Sequence, residues 1–193
     1  MIKIYLAGPD VFRSNAIEHF EILKQICKKY GFIGLVPLDN VIEIPEKDKF
    51  TPIHSHFIFK ANVDLIKECD VIIANLLPFR GACVDDGTAW ELGCGYAYGK
   101  KLYGYSLSCD MSLKEITKMM FEIRTQNMFT EVENFGNPVN LMLVNSIKEL
   151  GGNIFKTFEE CVKNLHDELQ SEELQKKFDA WDEPFPAHLF IGK

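Results

Sequence analysis

The chain has 193 residues, 47% of them hydrophobic and 25% charged, which are the proportions of a globular protein with a sizeable core. Its formal net charge of −7 argues against a nucleic-acid polymer as partner, because proteins that neutralise phosphates usually carry a basic surface. No apolar run approaches the roughly 20 residues of a membrane span, and the short N-terminal run is typical of a first strand and not of a signal peptide. The six cysteines form no C-x-x-C pair, which favours reduced, mostly buried thiols and a cytoplasmic location.

The first half of the chain alternates short β-type runs with helical patterns. Residues 2–7 predict a strand that a Gly-Pro turn ends, and Ser14 or Asn15 is placed to cap the helix that follows. Gly31 ends that helix, and residues 32–36 predict a second strand. Residues 39–56 form a long polar connection before a helix over 58–69, and a connection of that length is usually functional.

The second half continues the alternation. Residues 71–76 are an unbroken apolar run, typical of a strand covered on both faces. The turn-rich segment 78–87 precedes a helix over 89–98 and a strand over 102–105. Residues 109–135 resemble an insertion with one helix near 113–123. A helix over 140–150, a strand over 153–155 and a helix over 158–169 complete the pattern.

This order predicts an α/β fold: a flavodoxin-like, doubly wound, five-stranded parallel sheet with flanking helices, in a domain of residues 1–170. Residues 171–193 form a C-terminal tail without an assigned role. In such sheets ligands bind beyond the carboxyl ends of the strands, which places residues 5–10 and 76–91 around one crevice.

The segment DDGTAWE at 85–91 brings three carboxylates to the start of a helix at this crevice. Thr88 and Glu91 fit a T-x-x-E capping box, so capping is one interpretation of Glu91. The other is nucleophilic attack on a sugar carbon, which needs an ionised carboxylate and a further acid nearby. Asp64, Asp85 and Asp86 are the candidates for that second acid.

Four stretches resemble the nucleoside 2-deoxyribosyltransferase family: IYLAGPDVF at 4–12, ANVDLIKECDVIIANL at 61–76, DDGTAWELGCGYAYGK at 85–100 and NPVNLM at 137–142. The resemblance implies the same fold and makes Glu91 the nucleophile. It makes Asp85 the residue that holds the sugar hydroxyl, Asp64 the acid that protonates the leaving base, and Tyr5 the residue that orients Glu91.

The resemblance also implies a homo-oligomer with shared active sites, in which Asn140 reaches the sugar site of a neighbouring subunit. It implies deoxynucleosides and free nucleobases as substrates, a role in purine salvage, and no cofactor or metal. Further candidates for substrate binding lie in the same loops: Gly8, Phe12, Arg80, Asp86 and Gly87.

Each of these residues also has a structural interpretation. Asp64 is a solvated helix residue, Tyr5 a core aromatic and Asn140 a helix cap in the absence of the family pattern. Gly8 suits any tight turn. Arg80 contacts a phosphate, a base edge or nothing, and Phe12, Phe79 and Trp90 either stack on a base or pack in the core. His54 and His56 lie in the polar connection, where we expect solvated side chains and not metal ligands.

The sequence therefore predicts transfer of a 2-deoxyribosyl group between bases through a deoxyribosyl-glutamate intermediate. One alternative is a hydrolase that cleaves a 2-deoxynucleoside 5′-monophosphate, whose phosphate would need several hydroxyl or basic donors. The other is a catalytically silent nucleoside-binding protein on the same fold.

Overall fold

The computed structural model describes residues 1–39, 45–120 and 131–181, with side chains up to residue 176. Its centre is a five-stranded parallel sheet in the order β2-β1-β3-β4-β5, as predicted. The strands are β1 (Lys3–Ala7), β2 (Ile33–Leu35), β3 (Val71–Asn75), β4 (Lys101–Tyr105) and β5 (Ile154–Phe155). The strand order reverses between β1 and β3, which is where doubly wound sheets open a crevice.

The described residues form six α-helices beside the sheet: α1 (Ala16–Lys29), α2 (Pro52–Glu68), α3 (Asp86–Ala97), α4 (Leu113–Met120), α5 (Leu141–Glu149) and α6 (Phe158–Trp181). Buried side chains of α1 and α6 form the core on one face, and those of α2, α3 and α5 form the core on the other. Alternation along β1 serves both cores, because Ile4 and Leu6 face α1 and α6 while Tyr5 and Ala7 face the opposite layer.

Helix α2 begins earlier than predicted. The structure starts it at Pro52, so residues 52–56 are helical and the predicted polar connection is shorter. Proline is favoured at the first helical position because its missing N–H needs no partner there. Thr51 caps the helix by accepting a hydrogen bond from the His54 N–H at 3.5 Å. Residues 40–44 of the connection lie outside the described residues.

Helix α6 ends later than predicted. It continues from Phe158 to Trp181, so the predicted domain boundary at residue 170 falls inside a helix. The extension is rich in Glu, Gln, Lys and Leu, which are good helix formers even without a core to pack against. Residues 182–193 of the predicted tail, and residues 121–130 of the predicted insertion, lie outside the described residues.

Helix α3 lies unusually close to the sheet at Gly95. A Cβ atom placed on Gly95 would come within 2.3 Å of the Ile72 Cδ1 atom and 3.1 Å of the Leu102 Cδ2 atom. Only glycine allows this approach, because any side chain would displace the helix from β3 and β4. Within the described residues, no helix has the length and apolar character of a membrane span.

Candidate functional site

An open cavity of about 590 Å³ lies beyond the carboxyl ends of β1 and β2, between α2 and the start of α3. Its polar lining includes three carboxylates, all from the loop and first turns of α3. The lining residues are Gly8, Val11, Phe12, Pro37, Leu38, His54, Ile58, Asn62, Asp85, Asp86, Gly87 and Glu91. A cavity of this size is typical of sites for small organic ligands.

Glu91 is held from the sheet side by Tyr5. The Tyr5 hydroxyl donates a hydrogen bond of 2.6 Å to the Glu91 Oε1 atom. Tyr5 is fully buried on β1, and burial is the main cause that raises its pKa above the usual value, followed by the charge of Glu91. The phenol therefore stays protonated and remains a donor, which fixes one carboxylate oxygen of Glu91.

Burial raises the pKa of Glu91 to about 7. The Tyr5 hydrogen bond opposes this shift because it stabilises the ionised form, while the nearby charge of Asp85 adds to it. A carboxyl group with a pKa near neutrality exchanges its proton easily at physiological pH, and such perturbed groups in cavities mark candidate active sites.

Asp85 is the N-cap of α3, and this corrects the predicted capping box. Its Oδ2 atom accepts hydrogen bonds from the Thr88 N–H at 2.9 Å and from the Thr88 hydroxyl at 3.0 Å. Helix α3 thus begins at Asp86 and not at Ala89, and Glu91 lies in its second turn, where it caps nothing. The carboxylate of Asp85 is fixed at the cavity wall with Oδ1 free of the cap.

The loop after β1 forms the opposite wall and is anchored below by a buried carboxylate. The Asp10 Oδ2 atom accepts a hydrogen bond of 3.0 Å from the Asn75 amide. A Cβ atom on Gly8 would lie 2.7 Å from the Asn75 Cβ atom, so glycine lets this loop sit against the end of β3. Phe12 and Gly8, two of the predicted substrate-binding residues, line the cavity.

Asp64 is not brought to Glu91. Its side chain is 67% exposed and lies 3.6 Å from the Lys67 ammonium on the outer side of α2. Two residues along a helix correspond to a rotation of about 200°, so Asn62 takes the cavity-facing place that was predicted for Asp64. Asn62 lines the cavity, and its Oδ1 atom is buried without a hydrogen-bond partner. A buried amide oxygen of this kind is available to a ligand.

Arg80 and Asn140 also lie outside the cavity lining. The Arg80 guanidinium stacks on the rings of Phe79 and Phe12, at 4.7 and 5.2 Å from their centroids. Those two rings are themselves stacked at 5.5 Å. Asn140 is exposed and caps α5, since its Oδ1 atom accepts a hydrogen bond from the Met142 N–H at 3.0 Å.

A smaller cavity of about 320 Å³ reaches Glu91 from the outer surface of α2 and α3. Phe59, Asn62, Gly87, Trp90 and Glu91 line it. The rings of Phe59 and Trp90 meet edge to face at 5.2 Å, and Trp90 is 48% exposed. Trp90 is therefore neither a core residue nor a lining residue of the larger cavity.

Sequence reasoning missed His54, Ile58 and Asn62. They are four residues apart and share one face of α2 that lines the cavity. The signal was Thr51-Pro52, a capping residue followed by proline, which would have placed His54 on a helix and not in a loop. In the described part of the chain no group of three or more His, Cys, Asp or Glu side chains is placed to hold a metal ion.

Comparisons with known proteins identify a family for the chain. A model of the nucleoside 2-deoxyribosyltransferase family matches residues 4–142. The structure of a 2-desoxiribosyltransferase from Leishmania mexicana is similar, with 31% identity and a TM-score of 0.68 over 86% of this chain and 98% of that chain. A 2-deoxyribosyltransferase of Bacillus psychrosaccharolyticus, 23% identical, shares the fold, with a TM-score of 0.54 over 82% of this chain and 88% of that one.

A curated relative from Schizosaccharomyces pombe, described as an uncharacterized protein, is 43% identical over 106 residues. That alignment covers 53% of this chain and 49% of the relative, so the chain spans about half the length of that protein. The family model itself covers more than half of the chain, and it includes the loop after β1, the cavity face of α2 and the start of α3. The chain belongs to the nucleoside 2-deoxyribosyltransferase family.

Proposed function

We propose that the protein transfers a 2-deoxyribosyl group from one nucleobase to another through a covalent ester with Glu91. One observation carries this proposal: a glutamate whose pKa is raised to about 7 faces the cavity while a buried tyrosine fixes one of its oxygens. A nucleophilic carboxylate has to be ionised and held in position, and Glu91 meets both needs near neutral pH.

In the first half of the proposed reaction, an oxygen of ionised Glu91 attacks the C1′ atom of the bound deoxynucleoside. The new C1′–O bond forms as the C1′–N bond breaks, and the bonding electron pair leaves with the base nitrogen, which takes up a proton from solvent. The Tyr5 hydrogen bond holds one carboxylate oxygen and leaves the second oxygen for the attack. Pre-orientation of this kind lowers the entropic cost of reaching the transition state.

In the second half, the nitrogen of an incoming base attacks C1′ from the side that the first base has left. The C1′–O bond to Glu91 breaks, its electron pair returns to the carboxylate, and the base loses a proton. Two successive inversions give overall retention at C1′. Glu91 is regenerated as the ionised carboxylate.

Asp85 is our candidate for holding the sugar. Because Thr88 saturates its Oδ2 atom, the Oδ1 atom is the one left to accept a hydrogen bond from a sugar hydroxyl. Gly87 keeps the space beside it open, since a Cβ atom there would lie 3.1 Å from the Asp85 Oδ2 atom. Asp86, which lines the cavity next to Asp85, is the further candidate on this wall.

Asn62 is our candidate for contact with the base, in place of Asp64. It lines both cavities together with Glu91, so it is adjacent to the point where the C1′–N bond breaks. Its buried, unpartnered Oδ1 atom accepts a hydrogen bond from an N–H group of a base. A neutral amide binds a base without serving as its acid.

We also propose that a second copy of the chain covers the outer opening to Glu91. Phe59 and Trp90 are half-exposed there, and an apolar patch continuous with a ligand cavity is typical of an interface. Asn140 lies outside the cavity of its own chain and is the candidate to enter that of the neighbour. Mixing a Glu91→Ala chain with an Asn140→Ala chain would then restore part of the activity that each has lost.

The decisive experiment incubates the purified protein with deoxyinosine, with and without excess adenine, and follows the products by chromatography. We expect deoxyadenosine to form only when adenine is present. The Glu91→Ala variant should form none, a loss of at least a thousandfold. Mass spectrometry of the wild type quenched during turnover should find a deoxyribosyl group on the peptide that contains Glu91.

Other product patterns would contradict the proposal. Hypoxanthine and free deoxyribose without exchange would identify a hydrolase that uses the same nucleophile. Cleavage confined to 5′-monophosphate donors would identify the alternative hydrolase of 2-deoxynucleoside 5′-monophosphates. If neither pyrimidine nor phosphorylated donors react, and Glu91→Ala binds nucleosides as the wild type does, the protein is a binder.

A further inference from the structure

Helix α2 presents a line of three side chains to the larger cavity. His54, Ile58 and Asn62 are spaced by four residues, so they lie one above another on one face of the helix, and all three line the cavity. Asn62 is at the Glu91 end, since the two residues also share the smaller cavity. His54 lies two helical turns away, about 12 Å along the axis.

His54 is fixed by its neighbours. Its Nδ1 atom accepts a hydrogen bond of 3.2 Å from the Phe50 N–H, and the Phe50 ring meets the imidazole edge to face at 6.2 Å. Its own backbone N–H donates to the Thr51 hydroxyl oxygen at the helix cap. Both the imidazole ring and the backbone N–H of His54 thus form hydrogen bonds with the turn that starts α2.

That turn has an unusual backbone. Phe50 has a φ of 59°, in the left-handed region that non-glycine residues rarely adopt, and its side chain is 96% exposed. Burial of the ring therefore does not account for this conformation. What the conformation does provide is a backbone N–H directed at the His54 ring. Strained backbone of this kind concentrates at functional sites.

The hydrogen bond determines which nitrogen of His54 carries the proton. A backbone N–H can only donate, so Nδ1 must be the unprotonated acceptor, and the neutral imidazole then carries its proton on Nε2. His54 therefore offers an N–H donor from its remaining polar atom. Since His54 lines the cavity, we take this donor to be the group that it offers to a ligand.

The carboxylates and the other polar side chains of the cavity come from different helices. The three carboxylates all come from the start of α3, whereas His54 is two turns from Asn62 along α2. The remaining lining side chains are apolar: Val11, Phe12, Pro37, Leu38 and Ile58. This arrangement fits a ligand with hydroxyl groups at one end, a flat apolar middle and a hydrogen-bond acceptor at the far end.

We propose that His54 determines base specificity by donating a hydrogen bond to the six-position oxygen of a purine base such as hypoxanthine. This inference rests on the proposed function, which places C1′ at Glu91. The base then extends along the apolar wall beside Ile58, because a sugar 5′ hydroxyl group would find few polar partners there. A purine reaches further towards His54 than a single-ring pyrimidine. Adenine carries an amino group at the six position, which is itself a donor and cannot accept the hydrogen bond from His54.

The test compares two acceptor bases with one donor, deoxyadenosine. Because the acceptor enters only the second half of the reaction, its kcat/KM does not depend on the donor. The acceptors are hypoxanthine and unsubstituted purine, which lacks the six-position oxygen. We expect the wild-type kcat/KM to be about tenfold higher for hypoxanthine than for purine. With purine the His54 N–H is left without an acceptor, which costs about a factor of ten.

In His54→Leu the ratio of kcat/KM for hypoxanthine to kcat/KM for purine should fall to about one. The value for hypoxanthine should fall, while the value for purine changes little. His54→Gln, whose amide can still donate, should keep part of the preference. His166→Leu, a histidine variant on α6 at the other face of the sheet, should keep all of it. The melting temperature of each variant shows whether it is folded.

The outcomes separate the two proposals. A wild type that exchanges no base at all would contradict the proposed function. Active enzymes in which His54→Leu keeps the wild-type ratio of hypoxanthine to purine would overturn the inference about His54. An equal loss for both acceptors in folded His54→Leu would overturn it as well, because His54 would then act on the reaction and not on the base.

Discussion

Two fully buried tyrosines project from opposite faces of the sheet, and each donates a hydrogen bond to a glutamate. Tyr5 on β1 donates to Glu91 at 2.6 Å, and Tyr103 on β4 donates to Glu168 at 2.9 Å. Glu168 also pairs with the Lys101 ammonium. The hydrogen bonds of the two pairs are similar, and Glu91 of the first pair lines the cavity described above.

The difference lies in the charges around each glutamate. Lys101 neutralises Glu168, whereas the nearest charge that affects Glu91 is another carboxylate, Asp85, and this charge raises the Glu91 pKa further. A tyrosine–glutamate hydrogen bond is therefore not by itself a catalytic feature. Within the part of the chain that the structure describes, Glu91 is buried without a neighbouring cation, and this burial raises its pKa to about 7.

The largest expected effect that separates the two glutamates concerns stability. Folded Glu91 keeps its proton up to about pH 7, whereas an unfolded glutamate loses it near pH 4.5. Between these values the folded state binds more protons, so the Glu91 contribution to stability falls as pH rises and is lowest above pH 7. Glu91→Gln should therefore stabilise the protein by about 1–3 kcal/mol at pH 8 and by little at pH 4.

Urea unfolding at the two pH values measures this, with Glu168→Gln as the matched variant. Glu168→Gln loses a partly buried ion pair and should destabilise the protein by about 1 kcal/mol at pH 8. A Glu91→Gln protein less stable than the wild type at pH 8 would show that Glu91 is not destabilised by its burial.

The next effect concerns the two hydroxyl groups. Tyr5→Phe removes the hydrogen bond that stabilises ionised Glu91, so the apparent pKa in kcat/KM should rise above about 7. At pH 7 we expect a loss of about tenfold in kcat, part of which returns at higher pH. Tyr103→Phe should leave both the rate and its pH profile unchanged, and an equal loss in the two variants would refute the distinction.

The smallest effect concerns Asp85. Asp85→Asn keeps an oxygen to cap α3 but removes the negative charge that raises the pKa of Glu91. The acidic limb of the pH profile of kcat/KM should therefore move below about 7, by less than one pH unit, while KM rises. Asp167→Asn, on the exposed surface of α6, serves as control. A shift of the limb towards higher pH would contradict the assigned effect of Asp85.

The sheet was predictable because its signals are local. The apolar run at Val71–Asn75 is long enough to identify a buried strand, and the alternation of elements fixed the parallel order. The segment around Glu91 was identified for a similar reason, since several carboxylates follow one strand. Which residue caps the helix was not predictable, because Asp85 and Thr88 are both good caps and the backbone decides between them.

The cavity face of α2 depends on helical phase, which the sequence defines poorly. Asp64 and Asn62 are two residues apart, and the family resemblance assigned the contact with the base to the aspartate. The start of the helix at Pro52 and the packing of Leu65 and Ile66 in the core decide that Asn62 turns inward. His54 was assigned to a solvated connection because the same helix start was missed.

Gly95 lies one turn after Glu91 on α3, so the distance between α3 and the sheet sets the distance between Glu91 and Tyr5. The position of Glu91, the proposed nucleophile, thus depends on the absence of a side chain at Gly95. Gly95 packs in the core and does not line the cavity, yet a shift of α3 by about an ångström at this residue would change the position of Glu91. A redesign of the cavity can therefore exchange side chains on α2, whereas any side chain at residue 95 would move α3 away from the sheet.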